Sequence, residues 1–351
     1  MVTVLILTII LTGCIQPHET AAETPVPSIS KNDGSALQPV FVTPVSGTAL
    51  PPSEGVLVKA DLKGSCPSSA PVNTSICTVS ASSCLTLTFI DVEQGDAILV
   101  RSPSGRILLI DAGKEEHDDD VISALRHQGV ASIDILVVTH PHGDHIGGMP
   151  AVIAAFPVRQ FIESAVPCSS SECRLLRATL IAKDIPIRVV GKGDSIPFDP
   201  AVSVTVLNPP AKLYDKVNEN SLILRLSYGN TTVLLTGDAG KEAEAGMIAA
   251  GEPLKADVLK AGHHGLSSST TGPFVSRVDP AITVISLEKS TRPTHPDPAV
   301  IRRLYEAGSV LYRTDRDGTV TIASNGSTFA VISGKNTTTP LYRNPAIAVL
   351  N

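Results

Sequence analysis

Residues 140–148 read HPHGDHIGG, so His140, His142, Asp144 and His145 offer three imidazoles and one carboxylate within a few positions. The apolar run IDILVVT stands directly before them. Two later stretches repeat the arrangement of donors behind an apolar run: VLLTGD ends in Asp238, and VLKAGHHG carries His263 and His264. Imidazole and carboxylate without thiolate suit zinc or manganese, and a coordination position left to water makes such a site catalytic. A carboxylate such as Asp238 can bridge two ions. Two ions about 3.5–4 Å apart can clamp the oxygens of a displacement reaction. A structural zinc is the alternative, but such sites are usually closed by Cys, and no Cys stands in these stretches.

Donors so far apart in sequence need a scaffold. From Leu85 the chain reads as strands in LTLTFIDV, DAILVRS and RILLIDAG, separated by the turn residues of EQGD and PSGR. HDDDVISALRHQGV reads as a helix, with acidic residues at its start and a glycine at its end. IDILVVTH is a buried strand that delivers the histidine cluster at its C-terminal end. A helix at SECRLLRATLIAKD precedes strands at PIRVVG, VSVTVLNP, SLILRLSYG and TTVLLTGD. KEAEAGMIAAG and PAVIRRLYEAG read as helices. ADVLKAGHHG, AITVISLE, VLYRT, GTVTIAS and TFAVISG read as strands. Runs of strands interrupted by single helices predict an α+β fold of two packed mixed sheets with helices on the outer faces. Side chains from several strand ends then meet at one edge of the sandwich.

The composition, 42% apolar and 18% charged, suits a sizeable core, built mainly from aliphatic residues because aromatics are 3% and Trp is absent. A net charge of -6 argues against a sequence-blind basic nucleic-acid binder. It leaves room for an enzyme that meets nucleic acid at metal ions, which supply their own positive charge. Residues 1–14, MVTVLILTIILTGC, have the length of a signal-peptide apolar region and are short for a bilayer span. Residues 15–84 are rich in Pro, Ser, Thr and Ala and read as a tether, since they bury too little apolar surface to offset ordering entropy. The folded domain is expected over 85–334, with a loosely ordered tail at 335–351. Cys168 and Cys173 form a natural local disulfide pair for an oxidising compartment. His18, His117 and His127 fall in tether or helix-surface contexts. Gln94 and Asp96 read as turn residues facing the site.

LTGC at the end of the first segment resembles the lipobox of prokaryotic lipoproteins, which implies a lipidated Cys14, a membrane anchor and an extracytoplasmic or secreted protein. FIDVEQGDAILV, ILLIDAG, THPHGDHIGG, NENSLILRLSYG, LLTGDAG, DVLKAGHHG, THPDPAVIRRL and YRTDRDGTVTI together resemble the metallo-hydrolase domain of the ComEC competence family, within the metallo-β-lactamase superfamily. The resemblance covers about residues 85–333 and implies the αββα sandwich of that superfamily, here without the family's membrane channel and tethered to the surface. It assigns His140 and His142 to a first ion, Asp144, His145 and His263 to a second, and Asp238 to both, with zinc or manganese as the metal. His264 is either the second-site ligand in place of His263 or a contact to substrate phosphate. Asp111 supports the metal loop, and His295 reads as a structural group.

Three positions depart from the family's pattern. No histidine lies between His145 and His263, so the first ion lacks the third histidine of many relatives. Glu93 stands where glycine is common. Leu266 replaces the serine of the family's HHGS, although Ser267, Ser268 and Ser269 follow. The activity implied is phosphodiester cleavage, DNA being the favoured substrate, by a hydroxide held between two metals, with Asp144 and His264 as catalytic residues. Two alternatives stand beside it. One is a surface phosphodiesterase of the phosphorylcholine-esterase type. The other is a DNA-uptake component that binds without cutting, against which the acidic charge and the few aromatics speak.

Overall fold

A computed structural model describes residues 84–289 and 294–335 and the strand Ile347–Val349. The signal peptide and tether expected from the sequence lie outside the described residues. Six strands open the domain: β1 (Leu85–Phe89), β2 (Ile98–Arg101), β3 (Ile107–Ile110), β4 (Ile135–Val137), β5 (Phe161–Glu163) and β6 (Ile187–Val189). The chain then crosses to a second sheet of β7 (Val202–Asn208), β8 (Ile223–Tyr228), β9 (Thr231–Leu235), β10 (Val258–Lys260), β11 (Ile282–Ile285) and β12 (Val310–Arg313). It returns to the first sheet through β13 (Val320–Ser324), β14 (Phe329–Ser333) and β15 (Ile347–Val349).

The first sheet has the order β15-β14-β13-β1-β2-β3-β4-β5-β6 and the second β12-β11-β10-β9-β8-β7. Both mix parallel and antiparallel pairs, as expected: β1 to β3 run antiparallel and β3 to β6 parallel, while β7 to β9 run antiparallel and β9 to β12 parallel. In the parallel halves β3, β4 and β11 are buried along their whole length because both of their faces are covered, whereas the edge strand β6 is largely exposed.

Three apolar layers follow from the two-residue period of the strands. Leu87, Phe89, Ile98, Val100, Ile110 and Val137 face Val206, Leu224, Leu226, Val233, Val258 and Val284 between the sheets. Their neighbours Leu99, Leu109, Leu136 and Phe161 face outward, under the helices α1 (Asp118–His127), α2 (Gly143–Ile146), α3 (Met149–Ala155) and α4 (Ser171–Ala182). On the other side Ile223, Leu234, Leu259 and Ile285 pack under α5 (Lys241–Ala249), α6 (Gly272–Val278) and α7 (Pro298–Glu306). The result is the αββα sandwich. No helix of the described residues is long and apolar enough to cross a membrane.

The sequence reading did not anticipate β5 or the helices α2, α3 and α6. α2 (GDHI) is a single turn of weak formers, and α3 (MPAVIAA) is only seven residues long behind an N-cap glycine, too short to show a helical period in the sequence. The tail, expected to be loose, contributes at Ile347–Val349 a strand parallel to β14. The Cys168–Cys173 pairing is present, and Cys84 is also disulfide-bonded.

Phe89 is fully buried in the layer between the sheets. Phe89→Ala removes a ring that neighbouring side chains cannot replace and should cost about 3–5 kcal/mol of stability, read as a shifted denaturant midpoint.

Candidate metal centre

The donors stand at the C-terminal ends of parallel strands from both sheets. β4 leads into His140 and the loop to α2, β9 into Asp238, and β10 into His263 and His264. Glycines make the packing possible. A Cβ on Gly148 would lie 2.2 Å from the carbonyl oxygen of Ala112, and one on Gly95 would lie 2.1 Å from that of Asp144. The Gly-Gly after the histidine cluster thus lets α2 and α3 sit against the strand that carries Asp111.

Asp238 is the centre. Its Oδ2 lies 3.8 Å from His140 Nε2, 3.5 Å from His145 Nε2 and 3.7 Å from His263 Nε2, and its Oδ1 lies 3.3 Å from His264 Nε2. Asp144 stands 3.6 Å from His264 Nε2 and 3.9 Å from His145 Nε2. Asp144, His145, Asp238 and His264 each present one ligand atom within 4.8 Å of all the others. A tetrahedral shell with bonds of about 2.1 Å has edges of about 3.4 Å, so these separations are those of ligands around one ion. The Nε2 atoms of His145 and His264 and Oδ1 of Asp238 are buried with no hydrogen-bond partner. Orphaned polar atoms in a dry interior are costly and call for an ion. The residues present fit a divalent metal.

A second, more open set shares Oδ2 of Asp238 with His145. His140 Nε2 and His142 Nδ1 are 3.0 Å apart, and His142 is exposed at the mouth. His263 stands on this same oxygen of Asp238, with Asn218 Nδ2 3.1 Å from its Nε2 and Ser268 Oγ 3.2 Å from its Nδ1. Thus the structure sets His264 rather than His263 among Asp144, His145 and Asp238, and places His263 against Oδ2 of Asp238, the oxygen that His140 also approaches.

Neighbours orient the rings. Asp111 accepts from His145 Nδ1 at 2.8 Å and from Thr139 through both its backbone N–H and its hydroxyl. His264 Nδ1 donates to the Ser286 carbonyl at 2.9 Å. Both arrangements leave Nε2 for an ion, the usual role of a ligand's supporting partner. Asp111, His263 and His264 all hold left-handed backbone, with φ of 58°, 47° and 53°. Such conformations cost of order 1–3 kcal/mol each and persist only where surroundings over-determine them.

Burial opposes charge throughout this cluster, and the partners decide which groups keep it. Burial raises Asp111. It opposes ionisation of Asp238 as well, but the imidazoles of His264 and His145 hold that carboxyl well below its usual range. His264 is lifted to about 9 against its burial by Asp238 and Asp144, and His145 well above its usual value by Asp238 and Asp111. Burial, together with His145, holds His140 well below the ordinary imidazole value. The field around Asp238 therefore favours positive charge.

Sequence reasoning passed over Lys260, whose Nζ lies 2.9 Å from Asp96 Oδ2 with both side chains buried, and over Asn218. Lysine inside the apolar run ADVLKAG, two positions from Val258 on the inner face, was the available signal. Asp96 does face the site region, grouped with Asp111 and His145.

Asp238→Ala should remove bound manganese or zinc from both sides, measured as metal per chain after reconstitution and desalting. His264→Ala should lose the ion held with Asp144 and His145, and His263→Ala only metal bound beside His140 and His142; the reverse pattern would return His263 to the Asp144 side.

The sequence profile described as the metallo-beta-lactamase superfamily matches residues 90–287. The chain is 29% identical over 248 residues to ComE operon protein 3 of Bacillus subtilis, covering 66% of this chain and 32% of that protein. It is 29% identical over 238 residues to competence protein ComA of Neisseria gonorrhoeae, covering 65% and 30%. A shorter stretch of 78 residues is 37% identical to ribonuclease Z of Aeropyrum pernix, covering 22% and 24%. The chain spans about a third of the length of the two competence-related relatives. With its fold, its convergent donors and this match, the chain belongs to the metallo-β-lactamase superfamily, and its relatives there are proteins of the ComEC competence family.

Proposed function

We propose that this protein is a metal-dependent phosphodiesterase that cuts DNA outside the cytoplasm. The observation that carries the reading is the set of buried, partnerless ligand atoms of His145, His264 and Asp238 beside the open pair His140 and His142. Asp144, His145, Asp238 and His264 would hold one divalent ion, zinc or manganese. His140, His142 and Asp238, helped by His263, would hold a second. Bound there, divalent ions supply Lewis-acid charge for a phosphoryl oxygen and lower the pKa of water towards neutrality. The chain's own residues do the rest. Asp144, partly exposed at the rim, fixes the ion on its side while the buried rings exclude bulk water. Ser268 Oγ and Asn218 Nδ2, which flank His263, are placed to donate to a non-bridging phosphoryl oxygen.

The choice of a phosphodiester rests on the site's donor chemistry together with the names of two relatives, a competence protein and a ribonuclease. The placement outside the cytoplasm, on a lipid anchor at Cys14, rests on the N-terminal sequence and is supported by the Cys168–Cys173 disulfide.

Asp144→Asn keeps the shape but weakens the charge that holds the ion. It should lower cleavage of labelled DNA about a thousand-fold in manganese or zinc, with the fold intact. Cleavage of a small phosphodiester but not of DNA would favour a surface phosphodiesterase. Tight DNA binding without cleavage of either substrate, equal in wild type and variant, would make the protein a binding component instead.

A further inference from the structure

Lys260 is the inner-face residue at the end of β10 and is completely buried between the sheets, as is Asp96 in the β1–β2 turn. A lone ammonium or carboxylate there would cost several kcal/mol, so the pair at 2.9 Å keeps both charged groups tolerable. Removing charge from a dry interior would normally be the easier solution, which leaves the question of what this pair does. Its backbone connections answer it. The Asp96 N–H donates to the Asp144 carbonyl at 3.3 Å, and the Asp96 carbonyl accepts from the Gly113 N–H at 2.9 Å, two residues past Asp111. On the other sheet, the Lys260 carbonyl accepts from the Thr236 hydroxyl at 2.6 Å, two residues before Asp238. Lys260 Nζ also donates to the Ala261 carbonyl at 2.9 Å, two residues before His263. One ion pair therefore joins the segments that present Asp111, Asp144, Asp238 and the two consecutive histidines. Asp96, Asp111 and His145 also group like ligands for a cation, but Asp96 already has the Lys260 ammonium as its counter-charge.

We infer that Lys260 and Asp96 are positioning residues: an ion pair across the two sheets that sets the spacing of the ligand loops delivered by one sheet against those delivered by the other. This rests on the reading of the cluster as a metal centre. The pair touches no substrate and acts through the loops it ties.

The test uses the full chain and cobalt(II) as the probe, because its visible absorption bands report ligand geometry independently of turnover. The variants are Lys260→Met, which leaves Asp96 unpaired, and the double variant Asp96→Asn with Lys260→Met, which removes both charges together. The double variant should fold, with a melting temperature close to wild type. It should bind cobalt at least about tenfold more weakly, with altered band positions. Its kcat for a phosphodiester should fall while KM changes little. A double variant with wild-type cobalt affinity, spectrum and kcat would overturn the positioning role. So would a double variant that does not fold, which would make the pair a requirement for folding. A wild-type protein that binds no cobalt would instead overturn the metal-centre reading beneath it.

Discussion

Charge buried at the seam of an apolar sandwich is the constraint on which the rest of this structure depends. Asp238, His145 and His264 are almost fully buried, yet the ligand-facing atoms of all three have no protein hydrogen-bond partner. Such atoms are tolerated in a folded interior only when something completes them. The fold meets the constraint by bringing parallel strand ends from two sheets to one edge. Donors that are scattered in sequence then surround a single carboxylate at separations of 3.3 to 3.8 Å.

Rigidity has a visible cost here. Asp111, His263 and His264 occupy left-handed backbone without being glycine, and each is held by contacts that relaxed backbone would break. The Asp111 carboxylate accepts from Thr139 twice and from His145, and the ring of His264 is tied to Ser286. The loop beyond them is fixed from α5, where the buried Glu244 accepts from the Thr271 backbone N–H at 2.9 Å and from its hydroxyl at 2.6 Å. Conformational strain is thus stored at the site and supported by the strands and side-chain hydrogen bonds around it.

Much of this was legible in the chain. Apolar runs of four to eight residues ending in turn signals located most of the strands, and donors placed directly after such runs located the site. What escaped had physical reasons. The helix after the Gly-Gly is only seven residues long, too short to declare a period in the sequence, and is held by burying Met149, Val152 and Ile153. The placement of His264 rather than His263 beside Asp144 and His145 could not be read from spacing, because adjacent residues in left-handed backbone point in directions that no regular period describes. The role of Lys260 was hidden by the habit of reading lysine as surface, although its parity with Val258 placed it inward. No histidine lies between His145 and His263 in the sequence, and the structure brings His263 within 3.7 Å of Asp238 through a loop from the second sheet.

The most direct measurement is anomalous X-ray diffraction at the manganese or zinc edge from crystals of the metal-loaded protein. Two ion peaks on either side of the Asp238 carboxylate are expected. One should be ringed by Asp144, His145 and His264, and the other should be bound by His140 and His142 with His263 beside them. A single ion away from Asp238, or no ion at that carboxylate under saturating metal, would contradict the reading of this seam as a metal centre.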